Sequence, residues 1–430
     1  MFKGAAGLIL SLIIAGPAYA GAKFAPQRAM HPSIDRPDPL NAGRPMEYRL
    51  RELDEIGGRK ARLEVRPWAD GLWRMTEGMT AARYADREFS RLWSFRSRYE
   101  YIQSTPISAI LNEPDRSRRE EMIDRLSPAE KYDLLVGDTQ ATLSQTQWDE
   151  GRRAENAGQL AEWMGICEGS AVASVMYPEP QHEVGVYSPQ GDLIRFRILD
   201  LKGLGSLLWS AFNTPAPMSG SRCRDGNEAS CFDANPAALH LAVMNVIGGS
   251  RLPLYINRIP RDQVWSVPVV GYEIQYYDVT SFWGGRVSSV EDAIRPIGEY
   301  SRDPYANSRA PGTAYVAGVH LSLEIAEGYT SSRDRTAGTD LRMLDYRYDL
   351  ELDAAGRIIG GEWRRDDHPD FIWAIEPGYR PLTVGDRQLG SVSWDGQTAV
   401  PSQWLPAIRR ASALNQPLEV IVRRLFELAQ

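Results

Sequence analysis

WMGICEGSAVASVMYPEP, residues 163–180, passes abruptly from bulky residues to small ones and holds a single cysteine, Cys167. Gly165 allows a sharp turn just before it. Gly169, Ser170, Ala171, Ala173 and Ser174 keep the following segment slim, and Pro178 and Pro180 close it. The pattern predicts a short helix with the cysteine at its N-terminus. Free backbone N–H groups and the helix dipole favour a thiolate there, and the N–H of Cys167 is suitably placed to hold an oxyanion. A slim helix also lets another element approach closely, as a facing sheet that carries a base must. Glu168 works the other way: its charge disfavours a thiolate, and the penalty is small only if its carboxylate points to solvent. The competing reading of Cys167 is a packed core thiol.

The chain has two other cysteines, Cys223 and Cys231, eight positions apart in SRCRDGNEASC. Its first residues, MFKGAAGLILSLIIAGPAYAGAKF, place one lysine before an apolar run from Leu8 to Ile14. Small residues follow at Ala18-Tyr19-Ala20. This is the three-part pattern of a secretory signal peptide, with an uncleaved anchor as the alternative. A secreted or periplasmic location is expected, with no membrane span in the mature chain. In such an oxidising compartment Cys223 and Cys231 are expected to pair as a small disulfide loop if their Cβ atoms approach correctly. Cys167 is then the leftover thiol. At 430 residues, 43% hydrophobic and 24% charged, the chain is long enough for two or three subdomains. A net charge of −7 and no basic run argue against a nucleic-acid partner.

A nucleophilic cysteine needs a base, and imidazole is the usual one. There are five histidines. His31 lies in a Pro-rich leader, His182 in a surface loop, His320 within an alternating strand, and His368 in the turn DDHPDF. Among them His240, in NPAALHLAVMN, is the candidate base, although a lone histidine on an apolar stretch is more often a satisfied core residue. A third polar group orients the base: Asn257, at the end of an apolar alternation, is preferred over Asp233 and Asp262. Trp163 and Gln159 are further candidates for an oxyanion donor. The histidines are scattered and no cluster has metal-ligand spacing, so no metal or other cofactor is expected. Calcium stays open, because acidic loop residues such as Asp334 and Asp340 occur.

Element patterns follow from punctuation. Ser127-Pro128-Ala129-Glu130 is a capped helix start, ended by Gly137-Asp138. VGVYSPQGDLIRFRI reads as a hairpin turning at Pro189–Asp192, and the segment from Asn235-Pro236 to Gly248-Gly249 as a helix. From Val264 onward, long Val/Tyr-rich alternations separated by turns such as Asp353–Gly356 predict an antiparallel sheet. The last residues, VIVRRLFELAQ, read as an amphipathic helix.

At these residues the chain resembles the transglutaminase elicitor family of oomycetes and bacteria. Three stretches carry the likeness. The first is Trp163-x-Gly165-x-Cys167-x-Gly169 with Pro178-Glu179-Pro180. The second is Cys231-x-Asp233-x-Asn235-Pro236-x-x-Leu239-His240, running on to Val264-Trp265 and Pro268-Val269-x-x-Tyr272. The third is Tyr346-x-Tyr348-x-Leu350-Glu351-Leu352-Asp353, then Gly360-Gly361-Glu362-Trp363 and His368-Pro369-Asp370-Phe371-x-Trp373. Two departures stand out: Trp265-Ser266-Val267-Pro268 where Trp-Asn-Gln-Pro is expected, and Asn257 where the resemblance leads one to expect Asp. The third stretch is read as packing and turn residues.

The resemblance implies a protein-glutamine gamma-glutamyltransferase with Cys167 as nucleophile and His240 as base. Its partners would be protein or peptide substrates carrying Gln and Lys. A cysteine peptidase or protein glutaminase of the same fold is one alternative, and a non-catalytic envelope binding module another. The expected fold class is α+β, a papain-like or transglutaminase-like core with the Cys helix packed on an antiparallel sheet. The expected organisation is a signal peptide over 1–20, a leader and helical cap or pro-region over 21–140, a catalytic core over 141–380, and a C-terminal extension over 381–430.

Overall fold

Where apolar and polar residues alternate, one face of each strand is buried, and where they recur at helical spacing a helix forms. A computed structural model describes residues 29–211, 216–221, 233–258, 263–281, 285–327, 340–365 and 367–430. The signal peptide, Cys223, Cys231 and Asp262 lie outside the described residues, as does Asp334. Along the described chain the helices are α1 (Leu50–Gly57), α2 (Arg87–Ser90), α3 (Phe95–Ser104), α4 (Ile107–Leu111), α5 (Arg116–Asp124), α6 (Pro128–Leu135) and α7 (Thr142–Asn156). They continue with α8 (Cys167–Met176), α9 (Ile198–Ser210), α10 (Pro236–Ala242), α11 (Val290–Ala293), α12 (Val384–Leu389), α13 (Leu405–Ser412) and α14 (Glu419–Leu428). The strands are β1 (Lys60–Arg62), β2 (Val184–Tyr187), β3 (Leu193–Phe196), β4 (Met218–Gly220), β5 (Leu254–Asn257) and β6 (Ser266–Tyr277). Beyond them lie β7 (Arg295–Pro296), β8 (Tyr315–Ala326), β9 (Leu341–Leu352), β10 (Ile358–Trp363) and β11 (Phe371–Trp373).

The large sheet is antiparallel, in the order β10-β9-β8-β6-β5-β11-β4, with β1 added to β6 and β7 to β8. Its inner face is the period-2 set Tyr272, Ile274, Tyr276, Leu321, Leu323, Tyr346 and Tyr348. These residues pack under α1, α10 and the π-helical turn Val243–Gly249 that continues α10. The hairpin of β2 and β3 forms a separate two-stranded sheet, its turn made possible by Gly191 at φ +82.

A second core is helical. It gathers Tyr132, Leu143, Trp148, Leu204, Leu207, Ile408, Ile421 and Phe426 from α6, α7, α9, α13 and α14. The expected start of α6 is a reciprocal capping box of Ser127 and Glu130. Asn235 caps α10 through Ala237 N. Between Arg87 and Ser104 the chain forms two helices, α2 and α3, because Ser94 starts its own capping box with Ser97. No helix among the described residues is long and apolar enough to cross a membrane.

Candidate active site

Cys167 is the first residue of α8, after Ile166 in a non-helical conformation with no side-chain cap. The opening amides of α8 are therefore not used up by a capping side chain. Gly165 makes a bridge to Arg74, and a Cβ there would stand 2.6 Å from Trp73 O. The small face of α8 is filled by α9 rather than by a sheet: at Gly169 a Cβ would meet Ser206 O at 2.0 Å. Buried Asp70 ties the two helices, accepting from Ser170 Oγ at 2.9 Å and Ser206 Oγ at 2.5 Å. The sheet approaches from the other side, through the start of β6. Cys167 Sγ donates to Val264 O at 3.3 Å and lies near the Ser266 amide.

Glu168 does not point to solvent. Its Oε1 accepts from Ser210 Oγ on α9 at 2.6 Å, and its Oε2 lies 3.7 Å from Cys167 Sγ. Burial and, second, this negative charge push the thiol up to about 12. Burial also raises the Glu168 carboxyl. The resting group is thus a thiol.

His240 lies wholly inside the sheet-side core, one turn into α10. Its Nδ1 is 2.8 Å from Tyr348 Oη, and its Nε2 has no hydrogen-bond partner among the described residues. Burial pulls its pKa down to about 3. No hydrogen bond joins it to Cys167. Asn257, buried at the end of β5, pairs in register with Ser266. Its Oδ1 accepts from Trp265 N at 2.6 Å, and its Nδ2 donates to Asp370 Oδ2 at 3.0 Å. Asn257 therefore braces the backbone that touches the sulfur. Gln159 is exposed in the loop after α7, and Trp163 is half-buried in the turn before Gly165.

Sequence reasoning passed over His368. It is buried, not exposed in a turn. Its ring stacks on Trp363 with centroids 4.9 Å apart and planes at 9°, and its Nδ1 is 3.8 Å from Asp233 Oδ2. Trp363 Nε1 in turn donates to Ala234 O, and Ala234 N donates to Asp370 O. Burial raises the Asp233 carboxyl to about 6. The available signal was the run of Trp363, His368, Asp370 and Trp373, in which an imidazole is framed by rings and a carboxylate. Turn chemistry hid it.

Comparison with known proteins gives two matches. Residues 41–385 match the family described as "Transglutaminase elicitor". The fold is similar to the crystal structure of the GP42 transglutaminase from Phytophthora sojae, with TM-score 0.52 and 18% identity, covering 88% of this chain and 99% of that one. No curated protein matches.

Proposed function

Since the chain belongs to the transglutaminase elicitor family, we propose that it is an exported protein-glutamine gamma-glutamyltransferase acting through Cys167. The observation that carries this reading is the position of Cys167 as first residue of α8, with the start of β6 alongside it. Packing of α8 against β6 supports a papain-like view of the core.

In the reaction Cys167 Sγ attacks the glutamine carboxamide carbon. An imidazole takes the thiol proton as the S–C bond forms and passes it to the leaving nitrogen, so that the C–N bond breaks, ammonia departs and a thioester remains. An amine, such as a lysine, then attacks the thioester, gives up a proton to the same imidazole, and releases the thiol. Amides at the start of α8 offer donors to the oxyanion. A base is essential because the thiol rests protonated.

His368 suits that role better than His240. It has a carboxylate, Asp233, beside its Nδ1, and it lies two residues from Asp370, which is tied through Asn257 to the backbone at the sulfur. His240 is held by Tyr348 in an apolar core that disfavours the protonated ring. The described arrangement puts no imidazole in hydrogen bond with Sγ, so the pair must close as substrate binds.

The test is incorporation of a fluorescent primary amine into a glutamine-containing peptide by the purified chain. Cys167→Ala should abolish incorporation. His368→Asn should lower kcat about 10²–10⁴-fold, as expected for a lost general base, while His240→Asn stays within several-fold. Incorporation by Cys167→Ala would end the acyltransferase reading. Ammonia release without incorporation would make water the acceptor.

A further inference from the structure

The outer face of the large sheet, opposite the core that holds His240, carries a separate cavity of about 330 Å³. It is lined by Tyr277, Arg286, His320, Arg347, Arg364 and Arg365. Strand register builds it. Gln275, His320 and Arg347 form one cross-strand row over β6, β8 and β9, all pointing away from the core. In the next row Gly318 leaves room for the Tyr277 ring, whose Cε2 would stand 2.4 Å from a Cβ there. Arg364 follows β10, its amide bonded to Arg347 O, and Arg286 bridges to Tyr277 at the opposite rim.

Four guanidinium groups thus converge in a chain of net charge −7. Only one is neutralised at close range: Arg364 makes two bonds of 2.8 Å to buried Asp349. Asp345, on the same face as Arg347, hydrogen-bonds to Ser322 Oγ at 2.5 Å and His320 Nε2 at 3.1 Å, and these contacts with, less strongly, the Arg347 charge hold its carboxyl below the usual range; it forms no direct ion pair with Arg347. Among the described residues no carboxylate comes within ion-pair distance of Arg286, Arg347 or Arg365. Guanidinium forks gathered around a concavity without acids to match are suited to a tetrahedral oxyanion, which each can bind through two N–H groups.

We propose that this cavity is a binding site for a phosphate-bearing small molecule, with Arg286, Arg347 and Arg365 holding the phosphate and the Tyr277 ring as one wall. None of the residues lining the cavity is among those that contact Cys167, and its occupancy does not depend on the acyltransfer reading.

The probe is inorganic pyrophosphate, titrated calorimetrically into the full chain at low ionic strength. Saturable binding is expected. The double variant Arg347→Ala/Arg365→Ala should weaken it by about tenfold or more, as loss of charge-assisted pairs implies. Arg286→Ala alone should give a smaller loss. Unchanged thermal midpoints keep these comparisons free of misfolding. Vesicles of phosphatidic acid in phosphatidylcholine form a second arm. Retention on them that pyrophosphate displaces, and that the same arginines govern, would put the phosphate on a lipid headgroup; binding of pyrophosphate alone would make the ligand soluble. Absence of saturable binding up to ~10 mM, a range that admits only the weakest affinities, would overturn the proposal. So would equal affinity in the double variant.

Discussion

At Cys167 two effects oppose each other at one sulfur. The helix start and the Ser266 amide favour the thiolate, while burial and the Glu168 charge disfavour it and prevail, leaving the thiol near 12. Removing the charge without changing the shape should therefore lower the thiol pKa. Glu168→Gln keeps an acceptor for Ser210 Oγ, so α9 stays in place. A fall of one unit raises the thiolate fraction about tenfold at neutral pH, while the more acidic thiolate is a weaker nucleophile, so the net gain is about threefold per unit. Iodoacetamide labelling of Cys167 in the native protein should be faster in the variant by at least that factor. An equal or slower rate would mean that burial alone sets the reactivity. The sequence already placed a cysteine at a helix start next to an opposing carboxylate. It could not show where that carboxylate points, because Ser210 lies on a different element.

The elements bring together residues far apart in the chain, and here local patterns differ in what they reveal. The capping box at Ser127, the Asn235 cap and the turn at Gly191 are interactions within a few residues, and each is legible. The partner of the slim face of α8 is not, since its choice depends on Asp70 reaching Ser170 and Ser206 from a hundred residues away or more. The sheet alternation is legible too, but which side of it holds His240 is decided by Tyr348 on β9 meeting α10. That seam has a pH signature. An exposed histidine titrates near 6.5, and in the fold His240 titrates near 3 because burial disfavours the cation. The unfolded chain therefore takes up this proton first as pH falls. Stability from the neutral ring is fully present above about 6.5 and is lost down to about 3, at up to about 1.4 kcal/mol per pH unit. In urea titrations from pH 7 to pH 4.5, His240→Asn should start less stable but lose less on acidification than the parent. Parallel losses would show that the ring is not held neutral in the fold.

At the scale of the molecule, the two cores are not laid out as successive segments. The sheet-side core draws Leu50 and Leu53 from the N-terminal region together with residues 234–374. The helical core draws on residues from Trp68 to Trp209, on Tyr255 of β5, and then on residues from Trp394 to Ala429. β1 is a strand of the main sheet, paired with β6. The segment after 380, which reads from sequence as an extension, closes the helical core: Phe426 stacks on Tyr177 with centroids 4.5 Å apart, Leu418 N donates to Tyr132 Oη at 2.8 Å, and Arg409 pairs with Asp138 at 2.7 Å. An amphipathic helix at a chain end shows that a face must be buried, but the surface that buries it is α9, on the far side of the sheet strands in sequence. Fully burying one Leu, Ile, Val or Phe side chain contributes roughly 1.5–3 kcal/mol. Ile408, Leu418, Ile421, Val422, Leu425 and Phe426 are all nearly or fully buried. Together they are worth on the order of 10 kcal/mol, comparable with the net stability of a whole domain. A chain ending at residue 380 should therefore lose cooperative thermal unfolding and near-ultraviolet circular dichroism. Because α9 backs the helix that carries Cys167, iodoacetamide should then label Cys167 at close to the rate of a free thiol. A truncated chain that melts in one sharp transition with Cys167 still protected would show that the helical core stands without the three helices after residue 380, and that the reactive cysteine owes its setting to the sheet alone.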